Sequence, residues 1–171
     1  GVNRAATFLD DEDFAHYRRH LGDALAARGF ALHAYVLMTN HVHLLLTPPA
    51  PGLLSAAMRQ LDQHYVPVFN RRHRRTGTLW EDRFKSVLVE GAGMALATMA
   101  AYIDLNPVRA GIVKDPKDYR WSGYGEAMAN RKRAKLGLQF LVTALQRGHE
   151  ESPGKSMEVY RRYLYLEGDE R

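Results

Sequence analysis

Residues 31–47 of the chain read ALHAYVLMTNHVHLLLT. Apolar residues alternate with others along two runs, Ala31 to Met38 and His41 to Thr47, and a period of two is typical of β-strands. The short polar pair Thr39-Asn40 between the runs favours a turn. The stretch therefore predicts a β-hairpin, and it is the part of the sequence that decides the fold.

Helical spacing of apolar residues predicts a helix on each side of the hairpin. The first helix begins after the capping residue Asp10 and runs to about Arg28, with Gly29 placed to end it. The second helix follows a proline-rich break and has apolar residues at positions 54, 58, 61, 65 and 69. Each helix thus has one apolar face that can pack on the hairpin or on another helix.

Beyond the second helix, the sequence predicts one more strand, at Arg83 to Glu90, and a third helix that follows Gly93 and closes at Pro107. The order helix, strand, strand, helix, strand, helix predicts an α+β fold of the ferredoxin-like βαββαβ type. In that fold an antiparallel sheet has its helices on one face, and here the first strand is missing or incomplete. A C-terminal helical extension is also predicted, with helices around Lys135 to Arg147 and Met157 to Leu166.

The composition favours one compact domain with a polyanionic partner. The 171 residues include 24 Lys and Arg against 19 Asp and Glu, a net charge of +5, so nucleic acid is the leading candidate for a partner. The chain has no Cys, which excludes disulfides and thiolate metal sites and suits the cytoplasm. No run of about 18 apolar residues occurs, so no membrane span is predicted.

Two motifs carry residues with catalytic chemistry. His41 and His43 alternate along the second strand, so both imidazoles can converge on one metal ion, although two solvent-facing histidines are the alternative. Tyr102 and Asn106 are four residues apart and share a helix face, although a half-buried tyrosine beside a helix-ending Asn-Pro would give the same pattern. Together the motifs would supply a metal ion, an oxygen ligand and a phenol nucleophile.

Four segments of the chain, in order, resemble the HUH-type single-tyrosine transposases, and most closely their REP-associated branch. The segments are YVLMTNHVHLL at residues 35–45, LWEDRFKS at 79–86, YIDLNPVRAG at 102–111 and DYRWS at 118–122. The resemblance extends over residues 1–124. The chain departs from the family at the opening strand and at Thr39, where many relatives have proline.

The resemblance implies a catalytic domain over residues 1–124, followed by a basic helical extension over 125–171. It implies an enzyme of the bacterial cytoplasm and nucleoid that cleaves and rejoins single-stranded DNA, often at hairpins, through a 5′-phosphotyrosine intermediate. Carried over residue by residue, Tyr102 is the nucleophile, and a divalent metal ion, Mg²⁺ or Mn²⁺, is bound by His41, His43 and Asn106. Two alternatives remain: a non-catalytic nucleic-acid-binding module on the same fold, and a metal-dependent nuclease that uses water.

Clusters of basic and aromatic residues are candidate DNA contacts. The densest positive patch lies at the end of the second predicted helix, and two cations follow it, which gives the set Arg71, Arg72, Arg74, Arg75, Arg83 and Lys85. A second basic cluster lies at residues 131–135, and solvated surface charge is the alternative for both clusters. Unpaired bases can stack on the aromatic residues Trp80, Trp121, Tyr119 and Tyr124, of which Trp121 is favoured for packing instead.

Overall fold

The computed structural model describes residues 1–91, 94–146 and 156–169. Along these residues the chain forms α1 (Asp11–Ala26), β1 (Ala31–Met38), β2 (His41–Thr47), α2 (Leu53–Arg72), α3 (Met94–Arg109), α4 (Gly123–Met128), α5 (Lys132–Gln146) and α6 (Ser156–Asp169). Short 3-10 helices occupy Val2–Arg4 and Pro116–Asp118. The α+β class predicted from the sequence is confirmed.

The hairpin predicted at residues 31–47 is confirmed with both strand boundaries unchanged. β1 and β2 pair across a two-residue turn, which requires an antiparallel ladder. Every residue of β1 from His33 to Met38 is buried, whereas Leu45 is the one buried residue of β2. β2 is therefore the more accessible of the two strands.

The strand predicted at Arg83 to Glu90 is wrong. Residues 84–90 adopt neither strand nor helix, and Val87 and Leu88 are 81% and 101% exposed. An alternating pattern stabilises a strand only when a neighbouring strand supplies hydrogen bonds and another layer buries one face, and exposure on this scale shows that no layer covers the segment within the described residues. Among the described residues the sheet has two strands, β1 and β2, so the ferredoxin-like arrangement stays a prediction.

The chain divides into two compact units that share the strands of the hairpin. The first unit comprises Gly1–Ala31, Leu37–Val42 and Leu46–Ser86, and the second comprises Leu32–Val36, His43–Leu45 and Val87–Arg171. Each strand thus contributes residues to both units.

The first unit is built on the packing of α1 against α2. Its core is a cluster of aromatic rings, in which the ring centroid of Tyr65 lies 5.0 Å from that of Tyr17 and 5.6 Å from that of Phe8. The buried Tyr65 hydroxyl donates a hydrogen bond to the Thr7 carbonyl at 2.6 Å. Asp10 caps α1 as predicted, because its side chain accepts a hydrogen bond from a backbone amide in the first turn.

The second unit packs α3 against α5 and α6. The prediction that α3 closes at Pro107 is wrong, since the helix continues to Arg109. Proline removes one backbone donor but leaves its own carbonyl available, and the Pro107 carbonyl accepts the Ile112 amide at 2.9 Å. The chain turns away at Gly111, whose φ of 68° is the left-handed conformation that favours glycine after a helix.

A buried carboxylate links α3 to α6 within the second unit. The Tyr160 hydroxyl donates a hydrogen bond of 2.7 Å to Asp104 Oδ2, and both residues are buried. The other oxygen, Oδ1, has no hydrogen-bond partner among the described residues. Burial raises the pKa of Asp104 to about 7, because the charged carboxylate is poorly solvated away from water.

We expect Asp104→Asn to stabilise the protein above pH 7. A carboxyl group whose pKa is higher in the folded than in the unfolded state makes the free energy of unfolding fall as the pH rises, here from about 4 to about 7. The asparagine oxygen can still accept the Tyr160 hydroxyl and carries no charge, so the variant should gain about 1–3 kcal/mol at high pH. Urea unfolding of both proteins at pH 5 and pH 8 measures this difference.

Asp118→Asn serves as the control, since Asp118 is an exposed aspartate of the same unit. It should change the free energy of unfolding by less than about 0.5 kcal/mol at either pH. The interpretation of Asp104 is contradicted if Asp104→Asn has the same stability as the wild type at pH 8.

Candidate active site

Tyr102 lies on the exposed side of α3, with 43% of its surface accessible. Its neighbours Ala101 and Ile103 are buried, so the helix turns the phenol outward while its apolar side packs on the rest of the second unit. Thr98 and Asn106, one turn before and one turn after Tyr102, are also at least partly accessible. The helix face that the sequence predicts Tyr102 and Asn106 to share is confirmed, and it presents the phenol to solvent.

His43 of β2 contacts the ring of Tyr102. The two ring centroids lie 5.5 Å apart at an interplanar angle of 76°, an edge-to-face arrangement. Both residues belong to the second unit, where His43 lies within the short segment His43–Leu45. The structure thus brings together two residues that the sequence analysis selected from separate motifs.

A hydrogen bond to the backbone of Tyr102 orients the side chain of Asn106. Its Nδ2 donates a hydrogen bond of 3.0 Å to the Tyr102 carbonyl one helical turn earlier. The amide nitrogen is therefore used within the helix, and the oxygen Oδ1 is the atom that can serve as a ligand.

His41 has one ring nitrogen fixed by its neighbour. Nδ1 lies 2.6 Å from Oδ1 of Asn40, and because an amide oxygen only accepts, Nδ1 must carry the proton. In that tautomer the lone pair is on Nε2, which is the atom that would bind a metal ion, and a hydrogen bond of this kind on the other ring nitrogen is typical of histidine ligands. Two imidazoles at alternate positions of β2 and an amide oxygen are donors that suit a divalent cation.

Arg109 is a residue of this surface that the sequence analysis missed. Its guanidinium carbon lies 5.4 Å from the centroid of the Tyr102 ring, within the range of a cation–π contact. The signal that could have revealed it is the spacing of seven residues, since two turns of helix return to nearly the same face.

Comparison with known proteins identifies the family to which the chain belongs. The family model of IS200-like transposases matches residues 2–106, a range that includes the hairpin, Tyr102 and Asn106. The chain belongs to this family. No curated protein and no solved structure matches the chain. Membership makes the protein a DNA-processing enzyme of transposition, with DNA as its partner.

The described helices of this transposase include none that is both long enough and apolar enough to cross a membrane.

A second group of possible metal ligands lies in the first unit of the transposase. Among the described residues, ligand atoms of Asp10, Asp13 and His73 all lie within 4.8 Å of one another. The guanidinium of Arg72 pairs with Asp10 at 3.0 Å and also with the buried Asp13, while His73 Nε2 lies 2.8 Å from Asp13. The Arg72 guanidinium therefore already offsets the charge of these carboxylates, and the group joins the end of α2 to the first turn of α1.

The predicted DNA-binding cations of the transposase differ in their surroundings. Arg72 pairs with Asp10, Glu12 and Asp13, so its charge is largely neutralised within the first unit. Arg75 is half-buried, with its guanidinium 5.7 Å from the ring centroid of Phe69. The exposed members of the set are Arg71, Arg74, Arg83 and Lys85, and the last two line an open cavity of about 350 Å³ beside Trp80.

The prediction that Tyr119 and Tyr124 stack on bases is wrong, because they are only 7% and 3% exposed. Tyr124 lies in the core of the second unit, where its ring centroid is 6.2 Å from that of Tyr160. Trp121 is half-buried, and the Arg120 guanidinium lies 4.6 Å from the centroid of its ring. Aromatic residues between polar ones look alike in sequence whether they face solvent or core, which is why the pattern misled.

Proposed function

We propose that this transposase is a single-tyrosine enzyme of the HUH type, which cleaves and rejoins single-stranded DNA with Tyr102 as the nucleophile. The observation that carries the proposal is the exposed phenol of Tyr102 in edge-to-face contact with His43, within the region that matches the family. Asn106, hydrogen-bonded to the backbone of the same tyrosine, supports it.

The chemistry of the proposed step follows from the phenol. The Tyr102 oxygen attacks the phosphorus of a phosphodiester, a P–O bond to tyrosine forms, and the bond to the 3′ oxygen breaks. The phenol proton is lost to solvent and the leaving 3′ oxygen gains one. The products are a 5′-phosphotyrosine and a free 3′-hydroxyl. Attack by a 3′-hydroxyl on the adduct is the reverse of this cleavage step and joins two strands. The phosphotyrosine bond replaces the broken phosphodiester bond, so no nucleotide cofactor is consumed.

In this proposal, His41, His43 and Asn106 hold a divalent metal ion, Mg²⁺ or Mn²⁺. Such an ion supplies positive charge at the phosphate, which would otherwise repel an approaching oxygen nucleophile. The hydrogen bond between His41 and Asn40 fixes the imidazole in the tautomer that leaves Nε2 unprotonated. The donor set does not select one metal, because imidazole and amide oxygen accept several divalent ions.

The finer features of fold and substrate also belong to the proposal. A ferredoxin-like catalytic domain over residues 1–124 and a helical extension over 125–171 follow from the four matching segments. The same segments support the REP-associated branch, a hairpin-forming single strand as substrate, and a place of action in the bacterial cytoplasm at the nucleoid. Arg71, Arg74, Arg83 and Lys85, which are exposed, are the proposed phosphate contacts.

A labelled single-stranded hairpin incubated with the protein and Mn²⁺ tests the proposal. On a denaturing gel, a labelled band that migrates with the protein is the expected result, because the phosphotyrosine bond survives denaturation. Cleavage without this adduct would instead indicate a nuclease that uses water. Binding without cleavage, measured by native gel, would indicate a non-catalytic module.

The exposed arginines should act on DNA affinity and not on chemistry. Replacing Arg71 and Arg74 with alanine should reduce the slope of log K against log salt by about 0.7 per lost phosphate contact on single strands. Filter binding between 50 and 300 mM salt measures the slope, and single-turnover cleavage of saturated complexes should stay near that of the wild type.

The double variant Arg131→Ala with Arg133→Ala is the matched comparison, since both arginines are exposed and lie outside the region that matches the family. We expect a smaller change of slope there. An unchanged slope in the Arg71 and Arg74 variant would identify these arginines as solvated surface charge, because such side chains release no counterions on binding.

A further inference from the structure

The guanidinium beside Tyr102 is placed by the helix that carries both residues. Arg109 is the last residue of α3 and lies seven residues after Tyr102. Helical side chains lean toward the N-terminus, so a long arginine at the end of α3 reaches back along the face that displays the phenol. The distance of 5.4 Å from its Cζ to the Tyr102 ring centroid is the outcome of this geometry.

The charge of Arg109 is not neutralised by a carboxylate among the described residues. Arg109 forms no ion pair there, whereas Arg72, His73 and Lys117 each lie within ion-pair distance of a carboxylate. Arg109 differs from Arg72 in this respect, because Arg72 is held by three acidic side chains of the first unit. Arg109 is also exposed, as is Tyr102, so an anion that reaches the phenol meets a positively charged group at the same place.

We propose that Arg109 is a further catalytic residue, whose guanidinium binds the non-bridging oxygens of the phosphate that Tyr102 attacks. The inference rests on the proposed nucleophilic role of Tyr102. A guanidinium presents several N–H donors in a planar fork that matches two phosphate oxygens, and it stays charged at every pH at which the enzyme works. It therefore stabilises the charge that develops on those oxygens during attack.

The test compares Arg109→Ala with Arg120→Ala. Arg120 is a matched control, because it is an exposed arginine of the same unit whose guanidinium also lies over an aromatic ring. With saturating single-stranded hairpin and Mn²⁺, Arg109→Ala should reduce the single-turnover rate of adduct formation by about 10²–10³-fold. The Kd for the hairpin should change only by about threefold, since one phosphate contact among several is lost. Arg120→Ala should retain the wild-type rate.

Two further measurements separate a chemical role from a structural one. Arg109→Lys keeps the charge without the fork and should fall between wild type and Arg109→Ala. Guanidinium ion added at millimolar concentration should partly restore the rate of Arg109→Ala and leave that of Arg120→Ala unchanged. Arg109→Gln keeps the aliphatic stem over Tyr102 and replaces Arg109→Ala if the alanine variant does not fold, as judged by circular dichroism.

The outcomes distinguish the two proposals. Arg109 has no catalytic role if its alanine variant reacts within about threefold of Arg120→Ala, or if neither lysine nor free guanidinium raises the rate of a slow variant. The proposed nucleophile fails separately, and the role of Arg109 with it, if the wild type forms no adduct or if an adduct persists in Tyr102→Phe. Slow chemistry in Arg109→Ala, rescued by guanidinium, supports the inference.

Discussion

Tyr102→Phe is expected to abolish strand cleavage and adduct formation while hairpin binding stays within about threefold of the wild type. The substitution removes one oxygen and keeps the ring, so the edge-to-face contact with His43 and the contact with Arg109 are retained. Without the phenol oxygen no phosphotyrosine can form, and the rate should fall by at least about 10³-fold. Denaturing gels measure adduct, and fluorescence anisotropy measures binding of the same labelled hairpin.

Tyr165→Phe is the matched control for this variant. Tyr165 is 39% exposed and has the Arg161 guanidinium 5.6 Å from its ring centroid, as Tyr102 has that of Arg109. It differs in that its hydroxyl donates a hydrogen bond of 2.6 Å to Asp115 Oδ2. It should form adduct at the wild-type rate. Adduct in Tyr102→Phe, lost instead in Tyr165→Phe, would assign the nucleophile to α6.

His41→Ala and His43→Ala are each expected to remove metal-dependent activity. Either change deletes an imidazole ligand, so Mn²⁺ affinity should fall by more than the roughly 10–100-fold that the loss of an outer-shell partner brings. Asn106→Ala should weaken Mn²⁺ binding less, because an amide oxygen is the poorest of the three ligands. Isothermal titration calorimetry with Mn²⁺ in the absence of DNA measures these affinities independently of cleavage.

His73→Ala distinguishes the proposed metal site from the other group of candidate ligands. His73 belongs to the group with Asp10 and Asp13, which Arg72 already neutralises, so its loss should leave Mn²⁺ affinity near that of the wild type. If His73→Ala loses Mn²⁺ binding and His41→Ala keeps it, the metal ion lies at the start of α1 and the proposed ligands are wrong.

Local patterns predicted the parts of the fold that local interactions determine. The hairpin boundaries and the capping of α1 by Asp10 follow from alternation and from a helix-capping side chain, both of which act within a few residues. The strand at Arg83 to Glu90 failed because a strand depends on a distant partner. The predicted end of α3 at Pro107 was wrong because a proline lacks only the backbone donor, and its carbonyl still accepts the Ile112 amide.

For the candidate site, local patterns likewise predicted individual residues but not the contacts between them. Tyr102 and His43 were selected separately, from a helix face and from strand alternation, and their contact could be expected only from the family resemblance. The pairing of Arg72 with Asp13 joins residues from two helices, and no pattern along the chain encodes it. The ion pairs of Arg72 with the first turn of α1 therefore could not be predicted from the sequence.

The packing of α3 limits how this protein can be dissected. The match to the family ends at residue 106, inside α3, yet the helices that cover this one, α5 and α6, lie later in the chain. A fragment cut at residue 106 would interrupt α3 and deprive the Asp104 carboxyl of its Tyr160 donor. We therefore expect the matching segment to be unstable on its own, and we expect a chimera that transfers the tyrosine helix to another scaffold to need α5 and α6 as well.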